Sequence, residues 1–128
     1  MNKEYTFLII EDNSIDQIIT NKLLRNEIGT QTEIHTVNNG EEGLQWIKKY
    51  NNTNTLIILL DIKMPIMNGF EFLSEYKKIL ENTLIKTKLY MLSSTLDKNE
   101  IDLIKNNPLV HNFFSKPFPV KDFLNQFE

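Results

Sequence analysis

Three carboxylates carry the chemistry most visible in this chain. Asp61 ends the apolar run Leu56-Ile57-Ile58-Leu59-Leu60 and precedes Ile62-Lys63-Met64-Pro65-Ile66-Met67-Asn68-Gly69. Glu11 and Asp12 follow a second apolar run, Phe7-Leu8-Ile9-Ile10. A run of the first kind, long and partly β-branched, reads as a strand buried on both faces. Such a strand carries the acid behind it out of the core at its C-terminal end, where open α/β sheets bind ligands. Two strands that deliver carboxylates to one edge suggest a cation site and an aspartate nucleophile.

The elements that must position these groups alternate along the chain. Tyr5–Ile10 reads as a short strand. Ser14–Glu27 carries Ile15, Ile18, Ile19, Leu23 and Leu24 near helical spacing, with Asn13 or Ser14 as N-cap and Gly29 as a stop. Glu33–Val37 is a weak strand, better suited to a sheet edge than to its centre. Glu41–Tyr50 is helical, with Glu41 and Glu42 at the end where acids suit the macrodipole. The Leu56–Leu60 strand, a helix over Phe70–Leu80 and a strand over Lys88–Leu92 follow. Lys98–Asn106 is helical, Val110–Phe114 a strand, and Val120–Phe127 a last helix. Five strands alternating with five helices predict a parallel sheet covered on both faces.

Composition narrows the function classes. The 128 residues are expected to form one domain over 1–128, with no room for a second. A net charge of -3 and a pI near 5.4 argue against broad binding to nucleic acid, which needs a basic face. There is no cysteine, which excludes disulfides and thiolate metal sites. The N-terminus shows no signal-peptide apolar region, and no stretch reaches the roughly 18 residues that span a bilayer. A cytoplasmic protein without membrane contact is expected. Neither GxxxxGK[ST] nor GxGxxG occurs, so nucleotide binding has no support. His35 and His111 lack a paired ligand pattern and read as structural, and Trp46 and the phenylalanines of the last helix as core or interface residues rather than cofactor stackers.

Further residues complete a pattern. Ser93 follows the fourth strand, and Lys116-Pro117 follows the fifth. Together with Glu11-Asp12, with Asp61 ahead of Met64-Pro65 and Gly69, and with the element order, they make the chain similar to a known family over its full length. It resembles the receiver domain of bacterial two-component response regulators, of the CheY-like single-domain kind. The resemblance implies a flavodoxin-like (βα)5 three-layer sandwich with strand order 2-1-3-4-5. It implies that Asp61 accepts a phosphoryl group from a histidine kinase or histidine phosphotransferase. Glu11 and Asp12 would hold Mg²⁺, joined by Asp61 and the backbone carbonyl of Lys63. Ser93 takes the place of the switch hydroxyl, Lys116 that of the conserved lysine and Phe113 that of the switch aromatic. Pro117 would follow a cis peptide bond. Such a protein is no enzyme in the usual sense. It assists its own phosphorylation and slow dephosphorylation, and it signals to a downstream protein or by phosphorylation-dependent dimerisation.

The residue types fit this chemistry. An aspartate is a poor nucleophile toward an anionic phosphoryl group, and a divalent cation reduces the repulsion. Three carboxylates crowded together should raise at least one pKa. Lys116 can pair with Asp61 or with a phosphate oxygen. Ser93, Ser94 and Thr95 lie in a row, so the choice of Ser93 depends on strand register. Lys63 and Thr95 occupy the variable positions that flank the phosphoryl group, Lys63 as a screen against water, and Ser94 stands where a smaller residue is usual. Phe118, Phe123 and Phe127 are the candidate partner surface. Two rivals remain. An aspartyl-nucleophile hydrolase would want a second acid at position 63, where Lys63 stands. A phosphorylation-independent interaction module should have lost one of Glu11, Asp12, Asp61 or Lys116, and all four are present.

Overall fold

The computed structural model describes residues 5–94 and 97–127. The expected alternation is present: β1 Tyr5–Ile10, α1 Ser14–Ile28, β2 Glu33–Val37, α2 Gly40–Lys48, β3 Thr55–Asp61, α3 Gly69–Leu80, β4 Thr87–Ser93, α4 Lys98–Lys105, β5 Asn112–Ser115 and α5 Val120–Phe127. All neighbouring strands are parallel, in the order β2-β1-β3-β4-β5. This is the flavodoxin-like (βα)5 sandwich. The weak second strand lies at one edge and β5 at the other. The order in which successive strands are added reverses between β1 and β3, which makes their C-terminal tips the expected ligand site.

The period of two along each strand splits the core. Leu8, Ile10, Leu56, Ile58, Leu60, Leu89 and Met91 face Leu44 and Ile47 of α2, Phe72, Leu73 and Tyr76 of α3, and Ile104 of α4. Phe7, Ile9, Ile57, Leu59, Tyr90, Leu92 and Phe114 face the other way, toward Leu24 of α1 and Phe118, Val120 and Phe123 at α5. Leu56 through Leu60 are all fully buried, which explains the unbroken apolar run. Each such side chain removed from water contributes about 1.5–3 kcal/mol.

Several expectations are corrected. Helix α1 buries Thr20 and Leu24, with Leu23 and Ile28 partly covered. Ile15, Ile18 and Ile19 are exposed, at 66%, 58% and 39%. At 100° per residue these three point away from the Thr20–Leu24–Ile28 stripe. The helix therefore has two apolar stripes, and only one meets the sheet. Two of the three residues proposed as a partner surface at α5 are also corrected. Phe118 and Phe123 are 3% and 0% exposed and belong to the core, where they tilt against each other with ring centres 5.2 Å apart. The side chain of Phe127, the third residue of that surface, lies outside the described residues, as does Thr95. The fifth strand begins two residues later than expected. His111 precedes it, and its Nδ1 accepts the Leu89 N–H at 3.2 Å.

Candidate functional site

The carboxylates meet at the tips of the two central strands. Asp61 is the last residue of β3, in register with Leu92 of β4, and Ile62 N extends the ladder by donating to Leu92 O at 3.0 Å. Glu11 follows β1 and is pinned by its own N–H, which donates to Val37 O at 3.2 Å. One oxygen of each of Glu11, Asp12 and Asp61 lies within 4.8 Å of the others. Glu11 and Asp61 are buried, 2% and 4% exposed, whereas Asp12 is open to solvent. An all-oxygen donor set with one open side suits a hard divalent cation that keeps part of its water shell.

Lys116 reaches this group from the far side of β4. It follows β5, donates its N–H to Ser93 O at 2.9 Å, and is joined to Pro117 by a cis peptide bond. Its ammonium is 2.7 Å from Glu11 Oε1, 3.0 Å from Asp16 Oδ2 and 3.3 Å from Asp61 Oδ1. Ser93 is the last residue of β4 rather than the first after it, 1% exposed, and paired with Ser115. Ser94 is exposed. Phe113 pairs with Met91 and is half-buried against the α2–α4 side of the core. The Lys63 side chain is exposed, two residues beyond Asp61.

The electrostatics follow from burial. Loss of water pushes the Glu11 carboxyl up to about 7, opposed by its hydrogen bond from Lys116 and reinforced by the charge of Asp61. Burial likewise raises Asp61, while Lys116 pulls it down. The expected rise is therefore present, but desolvation is its first cause and mutual repulsion a lesser one. The carboxylates in turn hold the Lys116 ammonium charged, moving it above its ordinary value against the effect of its own burial.

The amino-acid sequence matches the response regulator receiver domain family over residues 7–128. The chain belongs to that family. It is 32% identical over 120 residues to hybrid signal transduction histidine kinase G of Dictyostelium discoideum, covering 94% of this chain and 3% of that protein. It is 29% identical over 116 residues to the autoinducer 1 sensor kinase/phosphatase LuxN of Vibrio campbellii, covering 91% of this chain and 12% of that protein. The chain thus spans only a small part of these curated relatives. Among solved structures it is similar to a response regulator receiver protein from Dyadobacter fermentans, with 26% identity, a TM-score of 0.82 and coverage of 96% and 94% of the two chains. A two-component response regulator from Cytophaga hutchinsonii shares the fold, with 24% identity, a TM-score of 0.84 and coverage of 98% and 96%. Receiver domains are phosphoacceptors in two-component signalling, fed by histidine kinases or phosphotransferases, and are not enzymes in the usual sense. They bind Mg²⁺ at an acidic pocket, and the acids of this receiver domain form a group that could hold it.

Two polar residues near the acids, Asp16 and Gln17, escaped sequence reasoning, and the expected N-cap Asn13 lies beside them. Asn13 is the N-cap of α1 and accepts from Ile15 N and Asp16 N, at 2.9 and 3.1 Å. Its own N–H donates to Glu11 Oε2 at 3.2 Å. Gln17 Nε2 donates to Glu11 O at 2.6 Å and to Asn38 Oδ1 at 2.9 Å. Asp16 joins the Lys116 cluster. Its only signal in the sequence was an acid in a first helical turn, where macrodipole complementarity predicts acids anyway.

The loop after Asp61 is tightly built. Gly69 N donates to Ile62 O at 2.8 Å, and a Cβ at Gly69 would meet Met91 Cε at 2.8 Å and Ile62 Cα at 3.0 Å. That close approach requires glycine. Ile66 has φ 73 and is 81% exposed. A β-branched residue in the left-handed region costs about 1–3 kcal/mol, and strain of this kind gathers at functional loops.

Proposed function

We propose that this receiver domain is a phosphorylation-driven switch in which Asp61 accepts a phosphoryl group from the phosphohistidine of a kinase or phosphotransferase. The observation that carries the reading is the convergence of Lys116 and the three carboxylates at the β1–β3 tips. An Asp61 carboxylate oxygen forms the new bond to phosphorus. The bond from phosphorus to the donor's ring nitrogen breaks, and the ring keeps its electron pair. Lys116 holds Asp61 ionised and then balances the phosphoryl oxygens. Ser93, at the neighbouring strand tip, donates its hydroxyl to one of those oxygens, and half-buried Phe113 follows as the switch aromatic.

Glu11, Asp12 and Asp61, with the backbone carbonyl of Lys63, are the residues we assign to Mg²⁺. Bound there, the cation lowers the repulsion between nucleophile and phosphoryl group. The chain assists its own phosphorylation and slow dephosphorylation in this way. Exposed Lys63 screens the phosphoryl group from water. Lys63→Asn should therefore shorten the lifetime of the phosphorylated state, and an unchanged dephosphorylation rate removes that role.

We further assign residues 1–128 to one receiver unit working in the cytoplasm. No helix among the described residues is long and apolar enough to cross a membrane. The donor protein docks on the Ile15, Ile18 and Ile19 stripe, because α1 begins just beyond Glu11 and Asp12 and a donor reaching Asp61 must cover that end. Readout is through a downstream protein or a phosphorylation-dependent dimer, and no contact with nucleic acid is expected from the net negative charge.

Incubation with acetyl phosphate and Mg²⁺ tests the reading. Stable labelling that Asp61→Asn abolishes supports the switch. Rapid turnover of varied phosphate esters points to a hydrolase, and absence of label points to a phosphorylation-independent interaction module.

A further inference from the structure

Lys116 has more carboxylates around it than the phosphoryl-accepting chemistry needs. Glu11 and Asp61 belong to the cation group, yet Lys116 Nζ lies 2.7 and 3.3 Å from them. A cation entering this group therefore meets a positive charge already bonded to two of its three carboxylates. The third partner of Lys116 is different. Asp16 Oδ2 is 3.0 Å from Nζ, and Asp16 stands outside the Glu11–Asp12–Asp61 cluster.

The backbone of Asp16 is anchored at the start of α1. Its backbone N–H is fixed by the Asn13 side chain, and Asn13 N in turn donates to Glu11 Oε2. Its side chain is 34% exposed and that of Lys116 is 15% exposed, so the pair is screened by water only in part. Placement in the first turn of α1 suits an acid in either state of the site.

We propose that Asp16 is a positioning residue that acts through Lys116. It gives the ammonium a partner that persists when Glu11 and Asp61 turn to a divalent cation, and so lowers the cost of releasing them. Without Asp16, Lys116 has only Glu11 and Asp61 to hold, and it competes with the metal for both. The inference rests on the assignment of Mg²⁺ to these carboxylates.

A double-mutant cycle on the full chain tests it, with Mg²⁺ affinity read by isothermal titration calorimetry and folding checked by circular dichroism. With Lys116 present, Asp16→Asn should weaken Mg²⁺ binding about three- to fivefold, the scale of a partly exposed ion pair. In the Lys116→Met background the same change should shift affinity less than twofold. An equal loss in both backgrounds shows a bare field effect and overturns the proposal, as does no loss in either. If Lys116→Met does not fold, labelling by acetyl phosphate decides. Asp16→Asn should raise the half-saturating Mg²⁺ concentration and leave the rate at saturating Mg²⁺ unchanged, with Asp16→Glu restoring the former. A drop in the saturated rate with unchanged half-saturation overturns the proposal. Failure of the wild-type chain to bind Mg²⁺ would count against the metal assignment itself, a separate result.

Discussion

The centre of β3 and its tip are adjacent in sequence and opposite in purpose. Leu56 through Leu60 are fully buried apolar side chains that the fold stabilises on both faces of the sheet. Asp61, one residue on, is nearly as buried but is a carboxylate whose pKa is raised by the loss of water. The same burial that strengthens the strand makes its last residue a liability without a cation. Packing and function here draw on one physical quantity, exclusion of water, with opposite signs.

The largest effect should come from the centre. Leu59→Ala should cost about 2–5 kcal/mol in urea unfolding, through lost burial and the cavity left behind. A loss below 1 kcal/mol would break the comparison at its stronger end. At the tip the sign should reverse. Asp61→Asn in chelator at pH 7 should stabilise the chain by about 1–2 kcal/mol while abolishing label, because a buried negative charge is removed from a group with surplus acid. A lower melting temperature would show that the ion pair with Lys116 outweighs desolvation.

The pH dependence sharpens the same contrast. Glu11 is raised from 4.5 to about 7 in the folded chain, so the native state keeps a proton that the unfolded state has released. The stabilising contribution is complete below pH 4.5 and is lost as pH rises through about 7. Denaturation midpoints measured with chelator between these limits should therefore fall with increasing pH, and Glu11→Gln should flatten the slope. Smaller still is the loop after the tip. Ile66→Asn should gain about 1 kcal/mol, since asparagine tolerates the left-handed conformation. Smallest in stability is α1, where Ile18→Ser should stay within about 0.5 kcal/mol. It should nevertheless slow transfer from a protein donor and leave labelling by acetyl phosphate unchanged. Equal slowing with both donors would remove the docking role.

Much of this molecule was legible in its residues, because strands and buried faces leave periodic traces. The β3 run announced a doubly covered strand, and the acids behind β1 and β3 announced a common edge. Helix α1 shows where periodicity stops. Its two stripes, one through Ile15, Ile18 and Ile19 and one through Thr20 and Leu24, are both helical in spacing, and only the position of the sheet chooses between them. The α5 phenylalanines misled for the complementary reason, since an aromatic cluster looks the same in sequence whether it is core or surface.

By itself the sequence determined the element order, the parallel sheet, and the set of acids and the lysine from which a site could be made. Those are properties of local pattern and of residue type. Only the tertiary structure decided that Lys116 touches Glu11 and Asp16 more closely than Asp61, and that Glu11 is buried deeply enough to titrate near neutrality. Distances and desolvation depend on side chains brought together from up to 105 positions apart, from Glu11 to Lys116. No spacing along the chain encodes them.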